Sequence, residues 1–579
     1  MRAFLQRLNP RAYFAGSSAP DTTPYELVPE SEEELGDSIP LLPSSSTQSL
    51  DKQLEQIAPR RRRRKDYQCA SPALFAGIAL GGLFAAVVVL CVLLFLRQPP
   101  EEHIPPPPPP PPPVSNTDMS DPILAARAHV AALRARQPQT LVHAASRYSL
   151  KTGRSPPRNY DLWFQFAREH GCLVDEYDQI YRDFKPFYQL AERDPIFFQR
   201  MIDAASKMMA NDAKEMGRYE IKNGKVIRPE GKPTSYWDTE PLTLGWFSHI
   251  LPDLTVIING KDEPRVVFDV RQTGDAIRDR ALKLTEQNPF EVSPHPTYTY
   301  FYNKPGCTIM RSKDGFPDVA NDDSAFFLSS AKTQWTEDLY PILSMTKVSP
   351  CFADILFPIE YYYTRSWWSR KFGHENNIAW NDKQEKIYWR GTASGGQIFD
   401  DNWRNFTRFK LVDKSHAHPD LLDAEITTFA DELCMGRPEC HRDQIMAEYK
   451  ITGALTPKEN AYKHKYLLDV DGMTFSGRFL GLLRSGSLVF KMTVFEEYFN
   501  EWLRPYEHYI PVAPDLSDLF EKLAWAKEHD AEARMIQERG KAVAGGIVTD
   551  GQNDCYFALV LLEWARLQEI ARNATAGHH

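Results

Sequence analysis

The chain predicts an α/β protein built on parallel sheets, two of them, and three observations carry that reading. From about residue 145 onward, short apolar runs bounded by turn residues alternate with segments of helical character, the pattern of strands joined by helical crossovers. The stretch 463–491 (KHKYLLDVDGMTFSGRFLGLLRSGSLVFK) condenses this pattern into one unit of strand, small-residue loop, helix and strand. Finally, 579 residues exceed what one core organises, while 42% hydrophobic and 12% aromatic content supplies apolar surface for two or three domains.

The segments ahead of residue 145 have another character. Residues 1–59 are polar, rich in Ser, Pro and acids, and lack any period, the composition of disordered chain. Within them SEEELGDSIPLL sets Glu32 to Glu34 ahead of Leu41-Leu42, a pattern that sorting signals share with chance. Six consecutive cations, Arg60 to Lys65, precede an uncharged apolar run at 73–96, whose 24 residues are enough to span a bilayer core. That run is too long and too far from the N-terminus for a secretory signal. The cations before it place the N-terminus in the cytoplasm and all that follows in a lumen, which makes a single-pass type II membrane protein. Pro105 to Pro113 are nine prolines in a row, a polyproline II spacer of about 3 Å per residue. The expected order is a disordered cytoplasmic tail (1–66), a transmembrane helix (70–96) and a proline-rich luminal stem (97–140) that ends in a helix at 122–136.

Beyond the stem, helices are expected at 161–170, 177–192 and 516–528, with an amphipathic final helix at 557–571. Strands are expected within 252–259, 266–270, around Ile355 to Phe357, and at 387–390, 466–470, 487–490 and 509–512. A net charge of −9 and pI near 6.0 argue against nucleic acid as the principal partner. Six cysteines follow the apolar run: Cys172, Cys307, Cys351, Cys434, Cys440 and Cys555. An oxidising lumen permits disulfides. Cys434 and Cys440 are close enough to close a local loop, but connectivity does not follow from spacing. No cysteine or histidine spacing suits structural zinc. Two glycosylation triplets, Asn405-Phe406-Thr407 and Asn573-Ala574-Thr575, suit luminal exposure.

Three loops hold chemistry-bearing residues. Asn259-Gly260-Lys261-Asp262 ends a buried strand, where ligands gather in α/β proteins, and a carboxylate there can take a proton from an attacking hydroxyl. Trp389-Arg390-Gly391-Thr392-Ala393-Ser394-Gly395-Gly396 combines glycines that allow close backbone approach with hydroxyls and an arginine suited to a diphosphate. The third loop follows the strand at 466–470 and holds Gly472, Thr474, Phe475 and Ser476. Arg478 is expected on the first turn of the next helix, where backbone N–H groups and a guanidinium can hold phosphate oxygens. Asp469 and Asp471 have two readings: an Asp-x-Asp pair holding Mn²⁺ or Mg²⁺ against a nucleotide diphosphate, or structural carboxylates beside an arginine-based, metal-free site.

In this order the motifs resemble glycosyltransferase family 90, which includes fungal capsule-associated xylosyltransferases and animal protein O-glucosyltransferases. The motifs are Gly153 to Pro157 with Asp161 and Trp163; Asp175, Asp178, Asp183, Pro186 and Phe187; Asn259 to Pro264; Phe352 to Pro358; Tyr388 to Gly391; Lys463 to Arg478; Ser487 to Lys491; and Pro505 to Val512. Together they span roughly 147–570, with the fungal branch the nearest in character. The resemblance implies a GT-B-like fold, two Rossmann-like domains facing a cleft: an acceptor-side domain at 141–375, a donor-binding domain at 376–550, and a C-terminal helix and tail at 551–579. It implies inversion at the anomeric carbon, with Asp262 as general base. The donor contacts it implies are Arg390, Thr392 (where relatives often have serine), Ser394, Arg408 (with Arg404 as competitor), Gly472, Thr474, Phe475, Ser476 and Arg478.

The expected function is transfer of xylose or glucose from a UDP-sugar to a glycan or glycoprotein hydroxyl, at a Golgi or ER membrane. No cofactor is required, although a divalent cation remains open, and neither a metal ligand set nor a nucleic-acid partner is expected. The competing readings are a non-catalytic luminal glycan-binding or scaffolding protein that keeps the fold, and a metal-dependent GT-A transferase using Asp469 and Asp471.

Overall fold

The computed structural model describes residues 122–211, 216–227, 243–260, 262–266, 268, 291–292, 334–335, 339–349, 352–366, 378–395, 398, 401–430, 433–434, 440–454 and 456–576. The predicted tail, the apolar span at 70–96 and the proline run lie outside them, as do Cys307 and Cys351. Among the described residues no helix is long and apolar enough to cross a membrane.

Five strands form the first sheet: β1 (Met216–Lys222), β2 (Lys225–Ile227), β3 (Leu254–Asn259), β4 (Leu343–Ser344) and β5 (Ile355–Leu356), in the order β2-β1-β3-β4-β5. The β1-β2 hairpin and the β1-β3 pair are antiparallel, whereas β3, β4 and β5 run parallel. Leu254, Val256, Ile257, Ile258, Leu343, Ile355 and Leu356 are all buried, the near-continuous apolar run expected of strands covered on both faces.

The second sheet is wholly parallel. Its strands are β6 (Gln384–Ala393), β7 (Leu422–Phe429), β8 (His464–Val470), β9 (Leu488–Met492) and β10 (Ile510–Val512), in the order β10-β9-β8-β6-β7. The chain leaves β6 outward to β7, then returns past β6 to lay β8 and continues the other way. Strand order therefore reverses between β6 and β8, and in open parallel sheets ligands bind beyond the C-terminal ends of the strands at that reversal. On topology alone, the pocket belongs beside Ala393 and Val470.

The two sheets meet at those ends. The loop after β4 pairs with the loop after β9: the Lys347 amide donates to the Glu496 carbonyl at 3.1 Å, and the Glu496 amide returns the bond at 2.7 Å. Thr346 Oγ1 adds a third bond to the same carbonyl. Lys347 Nζ is anchored at 2.5 Å by Asp183, on the helix α4 (Asp178–Arg193), and both side chains are nearly fully buried. The C-terminal ends of the parallel strands of both sheets thus border one region. All the described residues fall within one compact unit.

The helices of six residues or more among the described residues, in order, are α1 (Pro122–Ala135), α2 (Leu141–Thr152), α3 (Tyr160–Glu169), α4, α5 (Pro195–Asn211), α6 (Thr407–Ala417), α7 (Arg442–Glu448), α8 (Phe479–Arg484), α9 (Leu519–Glu528), α10 (Asp530–Gly546) and α11 (Asp550–Ala576). Two differ in role from expectation. The helix α1, read as the end of a stem, lies against α10, with Arg134 Nη2 donating to the Gly546 carbonyl at 2.5 Å. The helix α11 is no amphipathic surface helix: most of 552–568 is buried, because it returns to the first sheet and packs between α3, α4, α5 and β3. Trp564 Nε1 reaches the Thr255 carbonyl at 2.7 Å, and the Cys172–Cys555 disulfide ties the helix to the α3–α4 loop. A helix apolar all round belongs inside. The local Cys434–Cys440 loop is closed as the spacing allowed.

The strand expected at 387–390 is longer than its apolar run. It continues through Gly391, Thr392 and Ala393, because β7 pairs with it throughout, across a register shift between Gly391 and Thr392. The expected glycine-rich loop is therefore half strand. The strand expected at 266–270 lies largely outside the described residues.

Candidate functional site

The end of β6 turns its aromatic and cationic side chains into a nest. Trp389 is fully buried, and its indole folds back beneath Gly391: a Cβ at that position would lie 2.5 Å from the ring, so only glycine admits the arrangement. Two guanidiniums flank the indole, Arg408 at 5.5 Å and Arg478 at 5.9 Å from the ring centre. Gly472, just beyond β8, closes the same space, since a Cβ there would stand 3.0 Å from Arg408 Nη2 and 3.4 Å from Ser394 Oγ.

The predicted residues divide by what their polar atoms do. Arg408 spreads its fork over three strand-end carbonyls, Thr392 at 2.7 Å, Asp471 at 3.0 Å and Val470 at 3.2 Å, and so locks the ends of β6 and β8 together. Arg390, an expected phosphate contact, turns its guanidinium onto Asp423 at 2.7 Å and Glu425 at 3.0 Å on β7. Glu425 lies directly opposite Arg390 in the β6–β7 register, so the two side chains share one face of the sheet. What Arg390 gives the site is its carbonyl, which accepts from Arg478 Nη1 at 2.6 Å. Arg404, the competitor, is exposed and paired with Glu448. Thr392 Oγ1 bonds Thr428 Oγ1 at 2.7 Å. In the 472–478 loop, the Gly472 amide donates to the Thr474 carbonyl at 2.6 Å, and Phe475 packs toward Tyr362 with ring centres 6.4 Å apart. Ser476 Oγ donates to Asp469 Oδ1 at 2.5 Å. Arg478 stands at the N-cap of α8, not on its first turn, and α8 has only six residues. Attraction for an anion therefore rests on the arginine more than on the helix dipole.

Three donors in this nest are buried without a hydrogen-bond partner among the described residues: Trp389 Nε1, Ser394 Oγ and Arg478 Nη2. Buried donors are nearly always satisfied, and one left open costs about 1–3 kcal/mol. Three at one strand crossover offer hydrogen-bond donors to acceptor oxygens.

Beneath the nest lies a carboxylate cluster that sequence reading only partly found. Asp469 has both oxygens taken, by Ser476 and by Lys491 Nζ at 3.1 Å. That disfavours it as a cation ligand. Asp471 accepts the Val494 amide at 2.9 Å, while its other oxygen is buried without a hydrogen-bond partner among the described residues. Glu497 accepts from the Tyr362 hydroxyl and stands 4.0 Å from Lys491. Burial pushes the Asp471 carboxyl up to about 7 and that of Glu497 up to about 8, against the pull of Lys491. Lys491 and Glu497 were legible only as ionisable residues within and after a buried apolar strand.

These shifts have a sign. A carboxyl with a raised folded pKa holds its proton in the native state and loses it on unfolding, so stability falls as pH rises toward that value. Lys491, which its acidic neighbours hold above the ordinary lysine value against the effect of burial, is charged in both states over this range. The melting temperature is expected to drop between pH 6 and pH 8 in thermal scans, and Glu497→Gln to flatten that slope.

Asp262 sits three residues beyond β3, half-buried on the C-terminal edge of the first sheet. Burial, with the adjacent Glu263 carboxylate, pushes its pKa up to about 7. A group poised there can accept a proton at neutral pH.

One metal-like cluster lies away from this region. His129 on α1, Glu507 and His508 bring ligand atoms within 4.8 Å of one another. His508 Nδ1, however, accepts the Arg504 amide at 2.9 Å. In the neutral ring the proton is then on Nε2, which faces His129 Nε2 at 3.4 Å. That arrangement presents an N–H where a cation needs a lone pair.

Fold and site together define an α/β protein with a cationic cluster of buried donors at a strand crossover of one sheet and a carboxyl of raised pKa beyond β3 of the other. Residues 329–578 match the model of glycosyl transferase family 90, so the resemblance read from the ordered motifs holds for this region. Over 193 residues the chain is 33% identical to protein O-glucosyltransferase 3 of Rattus norvegicus, covering 33% of this chain and 34% of that protein. Over 255 residues it is 27% identical to protein O-glucosyltransferase 1 of Homo sapiens, covering 40% of this chain and 59% of that protein. The aligned part thus spans about a third of the first relative's length. A solved sucrose-phosphate synthase from Thermosynechococcus elongatus aligns at 13% identity and TM-score 0.24, over 48% of this chain and 66% of that one, too weak a likeness to carry an argument.

Proposed function

We propose that the chain is an inverting glycosyltransferase of GT-B-like construction that moves a hexose or pentose from a UDP-sugar to a glycan or protein hydroxyl. The observation that carries this is the set of three buried donors at the β6/β8 crossover that have no hydrogen-bond partner among the described residues. In this reading Trp389, Ser394 and Arg478 bind the diphosphate of the donor. Asp262 takes the proton of the acceptor hydroxyl as its oxygen bonds to the anomeric carbon. The bond from that carbon to the β-phosphate oxygen breaks, its electron pair leaves with UDP, and Arg478 compensates the developing charge.

Glucose is the first donor to try, because the matched relatives carry it in their names, and xylose is the second. The basic run at Arg60 to Lys65 ahead of the apolar run at 73–96 supports a type II membrane anchor with the transferase in the Golgi or ER lumen. The occupied oxygens of Asp469 support a metal-independent reaction.

The test is a thermal-shift panel of UDP-glucose, UDP-xylose and UDP-galactose, followed by measurement of UDP release with and without EDTA. Stabilisation by a UDP-sugar and EDTA-resistant release are expected. Binding without release under any condition would make the protein a binding module, and loss with EDTA restored by Mn²⁺ would return Asp471 to a metal role.

A further inference from the structure

The turn that carries Asp262 is held by residues to which no role has been given. Asp354, fully buried in the FADILFP stretch before β5, accepts the backbone amides of Arg265 and Val266, each at 2.8 Å, one on each carboxylate oxygen. Ser344 Oγ, at the end of β4, donates to the same carboxylate at 2.6 Å. Ser344 in turn accepts from Asn259 Nδ2 at 3.1 Å, and that amide also donates to the Glu263 carbonyl at 2.6 Å. Asn259 Oδ1 accepts Arg265 Nε at 3.0 Å, which places a fully buried arginine behind the turn. The residues these bonds hold, Asn259 on one side and Glu263, Arg265 and Val266 on the other, bracket Asp262.

A surface turn between two strands needs no such apparatus. Buried carboxylates that accept two amides and a hydroxyl are costly to desolvate, and a half-satisfied network is worse than an apolar one. The network also continues. Lys347 Nζ donates to the Asp354 carbonyl at 3.0 Å, and the Lys347 backbone pairs with Glu496 in the loop whose Val494 amide holds Asp471. The turn bearing Asp262 and the floor of the donor pocket are thus registered to each other through one chain of hydrogen bonds.

We propose that Asp354, with Ser344 and Asn259, is a positioning residue that fixes the Asp262 carboxyl over the donor pocket and acts on catalysis only through it. This rests on the assignment of Asp262 as base. A misplacement of about 1 Å in a reacting group can cost on the order of 10²-fold in rate. Asp354→Asn keeps the shape but replaces one amide acceptor with a donor, and Ser344→Ala removes a single bond from the same carboxylate.

The readouts are UDP binding by calorimetry, UDP-glucose hydrolysis by UDP release, and the pH profile of that hydrolysis. Asp354→Asn is expected to slow hydrolysis by about 10²-fold, to leave UDP affinity within twofold of the parent, and to move the acid limb of the profile. Ser344→Ala should repeat this in milder form, and it supplies the test should Asp354→Asn fail to fold. In an Asp262→Asn background, Asp354→Asn should slow hydrolysis no further, because both changes remove the same step. Parental hydrolysis and an unmoved acid limb in the folded single variants would overturn the inference, as would additive losses in the double variant. If Asp262→Asn itself hydrolyses UDP-glucose at the parental rate, it is the base assignment that fails, whatever Asp354→Asn does.

Discussion

Asp262→Asn is expected to lower UDP-glucose hydrolysis and sugar transfer by about 10²–10⁴-fold, the range a general base supplies, while UDP binds as to the parent. The split follows from geometry. The carboxyl lies on the first sheet beyond β3, whereas the donor-seeking atoms Trp389 Nε1, Ser394 Oγ and Arg478 Nη2 lie on the second, so the variant changes the proton acceptor without touching the pocket. Its pH signature is equally specific. Burial and then Glu263 raise the pKa of Asp262 to about 7, so activity should climb through pH 7 as the carboxyl ionises. Glu263→Gln withdraws one raising influence and should carry the acid limb to lower pH. A steady-state profile of Glu263→Gln that overlays the parent's would separate that limb from Asp262, and full turnover by Asp262→Asn would end its role as base.

How much of this was legible beforehand depends on what each residue's signal had to compete with. Strands covered on both faces announce themselves as apolar runs, so β3, β8 and β9 were found nearly to the residue. The edge strand β7 (LDAEITTF) was missed. It buries only Leu422, Ala424 and Ile426 on alternate positions, and its Asp423, Glu425 and threonines read as loop. That omission propagated. Without β7 there was no partner for Gly391 to Ala393, which then read as a glycine-rich loop, and no Asp423 or Glu425 to occupy the Arg390 guanidinium. Likewise the cation Lys491 is visible in sequence, but that it neutralises Asp469 is a fact of parallel register, Asp469 against Lys491 across β8 and β9. Motifs point to the places where chemistry gathers. Which arginine faces the ligand and which braces the strands is decided by pairing partners far away in the chain.

Arg478→Ala is the second large effect, and it tests that distinction. Of the arginines near the crossover, Arg408 has three carbonyls on its fork, Arg390 is held by two carboxylates, and Arg404 is exposed on Glu448. Arg478 has no carboxylate on its fork among the described residues: it pairs one nitrogen with a carbonyl, and its Nη2 is buried without a hydrogen-bond partner among them, beside Trp389. Burial lowers its pKa from the ordinary arginine value, partly opposed by Asp469, yet a guanidinium stays charged at any pH at which the fold survives. A cation held in a low-dielectric pocket before the ligand arrives is preorganised for the charge that grows on the leaving phosphate, and removing one such donor costs about 10²–10³-fold in turnover. UDP affinity should fall with it, because the product already carries that charge. Arg478→Lys keeps the charge without the fork and should recover only part of the loss. Arg404→Ala, which removes an exposed pair worth about 0–1 kcal/mol, should leave both UDP binding and turnover at the parental level. A structural role alone would lower the melting temperature of Arg478→Ala while sparing UDP affinity per folded molecule. Calorimetric titration of the folded variant with UDP decides between them: an unchanged dissociation constant would remove Arg478 from the pocket, and with it the diphosphate from the β6/β8 crossover.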